Sequence, residues 1–231
     1  MSSTEDLAIG IDIGGTNTKF GIVNRNGKVF HRGEIKTRKH AEVAPFIDEL
    51  YLSILPMIEY AGGPARIRGI GVGAPNGNFY NGTIEYAPNL SWKGVIPLAK
   101  MFREKFDMDV ILTNDANAAA LGEMSYGAAR GMRDFIVITL GTGVGSGIVA
   151  NGHMIYGHDG FAGELGHTMI IPEGRYHPGT GLYGSLESYA SATGVARTAV
   201  EFLNSRPTVE SLLRQYANEE ITSKVVFDCA R

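Results

Sequence analysis

Cysteine, long apolar runs and concentrated charge are all scarce in this 231-residue chain. The one cysteine, Cys229, cannot form an internal disulfide, which fits a reducing cytoplasm. No segment approaches the ~18 consecutive apolar residues of a membrane-spanning helix, and the N-terminus lacks the features of a secretory signal. The net charge of −3 and the absence of a basic patch argue against nucleic-acid binding. The sequence therefore predicts a cytoplasmic protein without membrane or nucleic-acid partners.

Glycine, by contrast, is abundant, with 31 residues that cluster in turns after predicted strands. Apolar periodicity predicts strands at 7–13, 18–24 and 28–35 in an antiparallel meander, then a helix at 42–60 that Pro56 should kink or end early. Next, the sequence predicts a strand in 67–77, a helix in GVIPLAKMFREKF, and a strand followed by a helix in DVILTNDANAAALGEMSYGAA. Near the end of the chain it predicts one helix in SLESYASATGVARTAVEFLN. Two more helices, each with a threonine N-cap, are predicted to start at TVESLLRQYANE and TSKVVFDCA. This mixture of strands and helices makes the class α/β.

Two segments share a pattern of strand, glycine–threonine turn and strand. The first is GIDIGGTNTKFGIV at 10–23, and the second is ITLGTGVGSGIVANG, which begins at Ile138. Their separation is too long for a solenoid repeat and predicts two related lobes with one hairpin each. Because backbone N–H groups in tight turns form anion-binding nests, we expect the two hairpins to bind a nucleotide triphosphate across a cleft.

The first turn is not a P-loop, since a strand rather than a helix follows it. Thr16 and Asn17 add hydrogen-bond donors, Lys19 adds a positive charge, and Asp12 can hold a hydrated Mg²⁺ beside phosphates. Taken alone, this segment would be interpreted as an ordinary hairpin. The second copy favours phosphate binding.

Asn114 and Asp115 come at the carboxyl end of a predicted strand, immediately before an alanine-rich helix. In open α/β sheets, ligands bind at that edge. A carboxylate there can equally be the N-cap of the helix, which contributes ~1 kcal/mol. From this segment alone, a capping role and a catalytic role explain Asp115 equally well.

Carboxylates, amides and an imidazole recur in the glycine-rich stretches. GELGH at 163–167 supplies Glu164 and His167, Glu187 follows, and Asn89 comes after a proline in APN. Such groups bind the hydroxyls of sugars. Each of them singly is better explained as a surface polar residue, or as a structural histidine in the case of His167.

Taken together, the segments resemble the ROK family of sugar kinases, within the actin-like, ribonuclease H-like ATPase superfamily. The matching motifs run from Ile9 to Gly194 in the family's order: DIGGTNTKFGIV, GVGAPN, APNLSWKG, TNDANAAALGE, ITLGTGVGSGIVANG, AGELGH and LESYASATG. The resemblance implies a two-lobed fold, with an N-terminal lobe at 1–116 and a second lobe at 117–231. It also implies a bacterial enzyme of glycolysis and a homodimer.

The resemblance also implies roles for individual residues. Asp115 corresponds to the general base, ionised at pH 7, and Asn114 beside it to a ligand of the same sugar hydroxyls. The remaining implied sugar ligands are Asn89, Glu164, His167 and Glu187. The implied phosphate-binding residues are Gly14, Gly15, Thr16, Lys19, Gly141, Thr142 and Gly143, with Asp12 as the carboxylate near Mg²⁺.

Two departures from the family pattern stand out. Family members usually carry a zinc site made of the GH-motif histidine and three cysteines, but here the corresponding stretch reads YHPGTGLYGSLE, in which His177 is at most a remnant. We therefore expect no zinc. Members are also usually longer, so we expect the second lobe to be incomplete, without a glycine-rich segment that contacts adenine.

The implied reaction is the phosphorylation of a hexose at its 6-hydroxyl by Mg·ATP, with glucose as the first choice. The alternatives are N-acetylmannosamine, N-acetylglucosamine, fructose or mannose as the substrate, and, from another class, a non-catalytic sugar-binding protein. A sugar-responsive repressor would need a helix-turn-helix before the first strand, where only eight residues precede Ile9.

Overall fold

The computed structural model describes residues 6–231. Its strands are β1 (Leu7–Ile13), β2 (Asn17–Asn24), β3 (Val29–Lys36), β4 (Ile67–Ala74), β5 (Gly77–Asn78), β6 (Thr83–Glu85), β7 (Val95–Ile96), β8 (Val110–Asn114), β9 (Phe135–Leu140), β10 (Val144–Ala150), β11 (His153–Met154), β12 (Tyr176–His177) and β13 (Leu182–Tyr183). Its α-helices are α1 (Val43–Tyr60), α2 (Leu98–Phe106), α3 (Asp115–Tyr126), α4 (Glu187–Ala190), α5 (Ala192–Ser205) and α6 (Ser223–Cys229). Across residues 6–231, no helix is both long and apolar enough to cross a membrane.

The main sheet has five strands in the order β3-β2-β1-β4-β8. The pairs β1–β2 and β2–β3 are antiparallel, which confirms the predicted meander, and β1–β4 and β4–β8 are parallel. Smaller sheets have the orders β11-β10-β9, β5-β6-β7 and β12-β13. The parallel strands bring their carboxyl ends to one edge, where ligands bind in open α/β sheets.

One face of the main sheet forms the hydrophobic core with α1 and α2. Alternate residues of β1 are buried, as period-2 patterning requires, and they pack with Phe46 and Leu50 of α1 and Phe102 of α2. Pro56 does not end α1, which continues to Tyr60. Burial of residues on both sides of the proline stabilises the helix against the lost hydrogen bond.

The chain divides into two compact units. Unit 1 runs from the first described residue to Val137 and also includes Gly147–Ala162, whereas unit 2 consists of Ile138–Ser146 and Gly163–Arg231. The boundary between the two lobes, which the family resemblance implies after residue 116, stays a prediction.

Within unit 1, the segment Gly147–Ala162 is held by aromatic and polar contacts. The rings of Phe79 and Tyr156 stack with centroids 4.1 Å apart and an interplanar angle of 4°. The Asn78 side-chain amide donates a hydrogen bond to the Asp159 carbonyl oxygen at 2.9 Å. These contacts explain why the segment belongs to unit 1 although it follows β9 in the chain.

Two helix predictions in unit 2 were wrong. The predicted helix in SLESYASATGVARTAVEFLN is two helices, because the Ser191 hydroxyl accepts the Gly194 N–H at 3.2 Å and caps a new helix there. TVESLLRQYANE forms only short 3₁₀ turns, at Leu212–Gln215 and Asn218–Glu220. The prediction for α6 was right, since Thr222 is its N-cap and accepts from the Val225 N–H.

Candidate functional site

Polar residues of unit 1 gather at the carboxyl edge of the three parallel strands. Asp12 is the last but one residue of β1 and lies opposite Gly73 of β4, which in turn lies opposite Thr113 of β8. The next two residues of the chain after Thr113 are Asn114 and Asp115. The strand register thus brings the predicted magnesium carboxylate and the predicted general base to the same edge.

The N-cap of α3 is Asn114, whereas the sequence left this role open to Asp115. The Asn114 side-chain oxygen accepts the Ala116 N–H at 2.8 Å, and Asn114 has the extended backbone of a cap residue. The Asp115 carboxylate accepts the same N–H at 2.8 Å but belongs to the first helical turn. Because Asn114 already caps the helix, a capping role alone does not explain an aspartate at position 115.

Asp115 is an exposed residue, yet the pKa of its carboxyl group is raised. Desolvation raises the pKa of Asp115 above its ordinary value, and the negative charge of Asp12 raises it further. The hydrogen bond from the Ala116 N–H acts in the opposite direction. A carboxylate with a raised pKa is a stronger base than a freely hydrated one, which suits it to accept a proton.

The first glycine hairpin contacts another predicted sugar ligand, Asn89. Its loop, Gly14–Thr16, closes with a hydrogen bond from the Gly14 N–H to the Asn17 carbonyl oxygen at 3.0 Å. A Cβ atom on Gly15 would lie 2.5 Å from the Asn89 carbonyl oxygen, so only glycine permits this approach. The hairpin and the APN loop are therefore packed together.

Asp12 and Lys19 lie opposite each other in the antiparallel pair β1–β2. Both are exposed on the sheet face away from α1, where they line an open groove of about 990 Å³. A single carboxylate suits Mg²⁺, which keeps several waters and shares its coordination with substrate phosphates, and the lysine ammonium suits the phosphates themselves. Asp12 would hold Mg²⁺ in this way.

The second hairpin, in unit 2, has a loop of the same length, Gly141–Gly143, between β9 and β10. The Gly141 N–H donates to the Gly143 carbonyl oxygen at 3.0 Å. Gly141 also accepts the Ala192 N–H at 2.9 Å, which fixes the loop to the start of α5. Thr142 at the tip is exposed. The two loops match in length, as the internal repeat predicts. That they face each other across a cleft stays a prediction.

Three segments of unit 2 meet around Val144, the first residue of β10. A Cβ atom on Gly166 would lie 2.3 Å from the Val144 carbonyl oxygen, so the turn that carries His167 packs directly on the hairpin. The Val144 N–H donates to the Glu187 carboxylate at 2.8 Å. The Leu186 N–H donates to the Thr168 carbonyl oxygen at 2.9 Å. This arrangement brings the turn that carries His167, Glu187 and the second hairpin together. Their roles in ligand binding stay predictions.

Glu164 precedes the short 3₁₀ turn Leu165–His167, and His167 is its last residue. The His167 Nδ1 atom and a Glu164 carboxylate oxygen are 4.0 Å apart, and both side chains are almost half exposed. They are therefore accessible to a ligand, and their role in sugar binding stays a prediction.

The residues present do not fit the zinc ion that the family resemblance implies. The stretch from β12 to α4 contains no thiolate, and its histidine, His177, is paired with Glu187 and Thr180. Within residues 6–231 there is no group of three His, Cys, Asp or Glu side chains that could hold a metal ion. That the protein carries no zinc stays a prediction for elemental analysis.

Two side chains of unit 2 have structural roles that the sequence did not suggest. Arg175 forms several hydrogen bonds with α4 and α5, and His177 contacts the predicted sugar ligand Glu187. Both lie in a glycine-rich stretch without periodicity, where a basic residue is normally interpreted as a solvated surface group.

Comparisons with known proteins show the family of the chain. A family model described as ROK family matches residues 8–231. A protein named glucokinase from Halalkalibacterium halodurans is 38% identical over 224 residues, which are 96% of this chain and 68% of that protein. A protein named putative xylose repressor from a Caldicellulosiruptor species is 32% identical over 89% of this chain and 54% of its own length. The chain thus spans between half and about two thirds of the length of these relatives.

A solved structure, described as a ROK family glucokinase from Streptomyces griseus in complex with glucose and AMPPNP, superposes with a TM-score of 0.77 at 32% identity. The match covers 97% of this chain and 71% of that one. This likeness confirms the predicted α/β class and the actin-like ATPase fold.

Proposed function

The chain belongs to the ROK family, and we propose that it is a sugar kinase that transfers the γ-phosphoryl group of ATP to the 6-hydroxyl of a hexose. The observation that carries this proposal is the position of Asp115. Its carboxylate lies at the carboxyl edge of the parallel strands, has a pKa raised by desolvation, and is not required as the helix cap.

In the proposed reaction, the oxygen of the sugar 6-hydroxyl forms a bond to the γ-phosphorus while the bond to the ADP oxygen breaks. The proton of that hydroxyl passes to the Asp115 carboxylate. Phosphoryl transfer depends more on positioning and charge stabilisation than on covalent help, and a positioned base contributes ~10²–10⁴-fold in rate. Asn114 and Asn89 would orient the sugar hydroxyls.

The phosphates of ATP would be bound by the backbone N–H groups of the glycine hairpins and by Lys19. A bound Mg²⁺, beside Asp12, supplies positive charge that stabilises the transferring phosphoryl group. Glu164, His167 and Glu187 of unit 2 are the further sugar ligands that we propose on the family resemblance.

Glucose is the proposed substrate. The Halalkalibacterium halodurans relative and the solved structure, both named glucokinase, support this choice, as does a ligand set of carboxylates, amides and an imidazole that needs only hydroxyl partners. The similarity to a protein named putative xylose repressor favours a second candidate, a sugar-binding role without catalysis.

A substrate panel tests the proposal. ADP release would be measured by a coupled assay with Mg·ATP and glucose, mannose, fructose or N-acetylmannosamine, together with sugar binding by calorimetry. We expect sugar-dependent ADP release that is fastest with glucose. A preference for N-acetylmannosamine would overturn the choice of glucose but not the kinase. Sugar binding without ADP release for any of the four would contradict the kinase and support the binding role.

A further inference from the structure

The imidazole of His177 contacts Glu187 in a well-defined geometry. The His177 Nε2 atom is 3.2 Å from one Glu187 carboxylate oxygen, and both side chains are mostly buried, with 25% and 13% exposed. The other ring nitrogen, Nδ1, is 3.0 Å from the Thr180 hydroxyl. The contact with Thr180 limits the rotation of the ring, and this leaves Nε2 beside the carboxylate.

The backbone around His177 is also fixed. Its carbonyl oxygen accepts the N–H groups of Thr180 at 3.2 Å and Gly181 at 2.8 Å, which closes the tight connection between β12 and β13. Two residues earlier, the Arg175 guanidinium donates to the carbonyl oxygens of Ser188 and Gly194, each at 3.2 Å. His177 is therefore held on the α4–α5 segment and cannot readily move away from Glu187.

The second carboxylate oxygen of Glu187 accepts the Val144 N–H of the second glycine hairpin at 2.8 Å. The fit is tight, since a Cβ atom on Gly143 would lie 2.4 Å from that same oxygen. One carboxylate thus connects the hairpin on one side with the imidazole on the other. A carboxylate accepts about four hydrogen bonds, so these two contacts leave acceptor positions for a ligand.

We propose that His177 is a positioning residue that orients the Glu187 carboxylate toward the sugar and couples it to the second glycine hairpin. This inference rests on the proposed function, because Glu187 is there a sugar ligand. A carboxylate that accepts the Val144 N–H on one side and is in contact with an imidazole on the other loses little rotational freedom when it binds a hydroxyl. Without His177, the carboxylate would have to be ordered when the sugar binds, and sugar affinity would fall.

The test compares His177→Ala with His177→Gln, whose side-chain amide keeps a polar group near the position of Nε2. His158→Ala is the matched control, because His158 is a histidine in a loose pair with Asp159 at 3.7 Å and is almost fully exposed. We expect His177→Ala to raise the glucose KM about 10-fold, because ordering one side chain on binding costs about 0.5–1.5 kcal/mol, with a smaller effect on kcat. His177→Gln should restore most of the affinity, and the His158 variant should match the wild type.

A second measurement does not depend on activity. Hydrogen exchange at the Val144 amide should become faster in His177→Ala than in His177→Gln, because the carboxylate that protects this amide is less ordered. An unchanged glucose KM in an active His177→Ala protein would overturn the proposal. If the wild type phosphorylates no sugar, the proposed function fails, and the exchange data alone test the positioning role. Equal exchange of the Val144 amide in wild type and His177→Ala would then overturn that role, and faster exchange in His177→Ala would support it.

Discussion

Replacing Arg175 with alanine should destabilise the protein far more than replacing any exposed arginine. Only 10% of the Arg175 side chain is exposed, and its guanidinium bonds to Thr198 at 2.8 Å and to Glu201 at 2.6 Å, in addition to two backbone carbonyl oxygens. It also stacks over the Tyr189 ring, 4.4 Å from the centroid. The hydrogen bond from Arg175, followed by the one from Arg197, lowers the pKa of Glu201.

The magnitude follows from these contacts. A hydrogen bond to a charged group contributes about 1.5–3 kcal/mol, and a cation–π contact about 0.5–1 kcal/mol. Water partly replaces the lost partners, and Glu201 keeps its pairing with Arg197 at 2.7 Å. We therefore expect Arg175→Ala to lower the free energy of unfolding by about 2–4 kcal/mol.

Arg197→Ala is the matched control, because Arg197 pairs with the same glutamate but is 55% exposed. An exposed helical pair of this kind contributes about 0.3–0.5 kcal/mol. Arg175→Lys should be intermediate, since lysine keeps the charge but not the planar fork of donors. Urea unfolding followed by circular dichroism would measure all three. Equal destabilisation by the two alanine variants would refute the reasoning that Arg175 holds the β12 segment on α4 and α5.

Three other predictions concern the hairpin, the general base and the metal. Gly15→Ala should lower kcat/KM for the sugar about 10-fold or more in a coupled assay, because its Cβ would lie 2.5 Å from the Asn89 carbonyl oxygen. Gly10→Ala is the control and should leave kcat/KM unchanged, because its Cβ would have no atom within 4 Å. Because desolvation raises the pKa of Asp115 in the folded state, the stability that this group contributes is present below about pH 3.9 and is lost as pH rises through its folded pKa. Thermal scans should thus show Asp115→Asn to be more stable than wild type at pH 7, with the difference shrinking as pH falls toward 4. Elemental analysis should find no stoichiometric zinc, and a chelator should not unfold the protein; about one zinc per chain would contradict the argument from the missing cysteines.

The sheet and its hairpins could be predicted from sequence because their signals are local. Alternating isoleucines define β1, and glycines define both three-residue loops, so these elements are right to within a residue. Asp12 lies one residue before the end of β1, and its role beside Mg²⁺ stays a prediction.

The break between α4 and α5 could not be predicted, although its residues were visible. The Ser191 hydroxyl accepts the Gly194 N–H, and this bond competes with continuation of the helix. Helical propensity did not indicate whether this capping bond or a continuous helix would form. Similarly, Ser211 caps only a short 3₁₀ turn, because the polar segment around it buries none of its side chains.

The contacts of unit 2 were beyond sequence reasoning for a different reason. His177 and Glu187 are ten residues apart in an irregular stretch, so no helical or strand period relates them. Arg175 reaches residues as far along the chain as Glu201. Such pairings depend on how the chain turns between them, which only the fold determines.

The most direct test of the proposed chemistry is a comparison of Asp115→Asn with wild type in glucose phosphorylation and glucose binding. The asparagine keeps the shape of the side chain, and the cap is preserved by Asn114, so the variant should fold. We expect kcat to fall by ~10²-fold or more, as it does when a general base is removed, while the glucose dissociation constant measured by calorimetry changes little. Near-normal kcat in the variant would contradict Asp115 as the base.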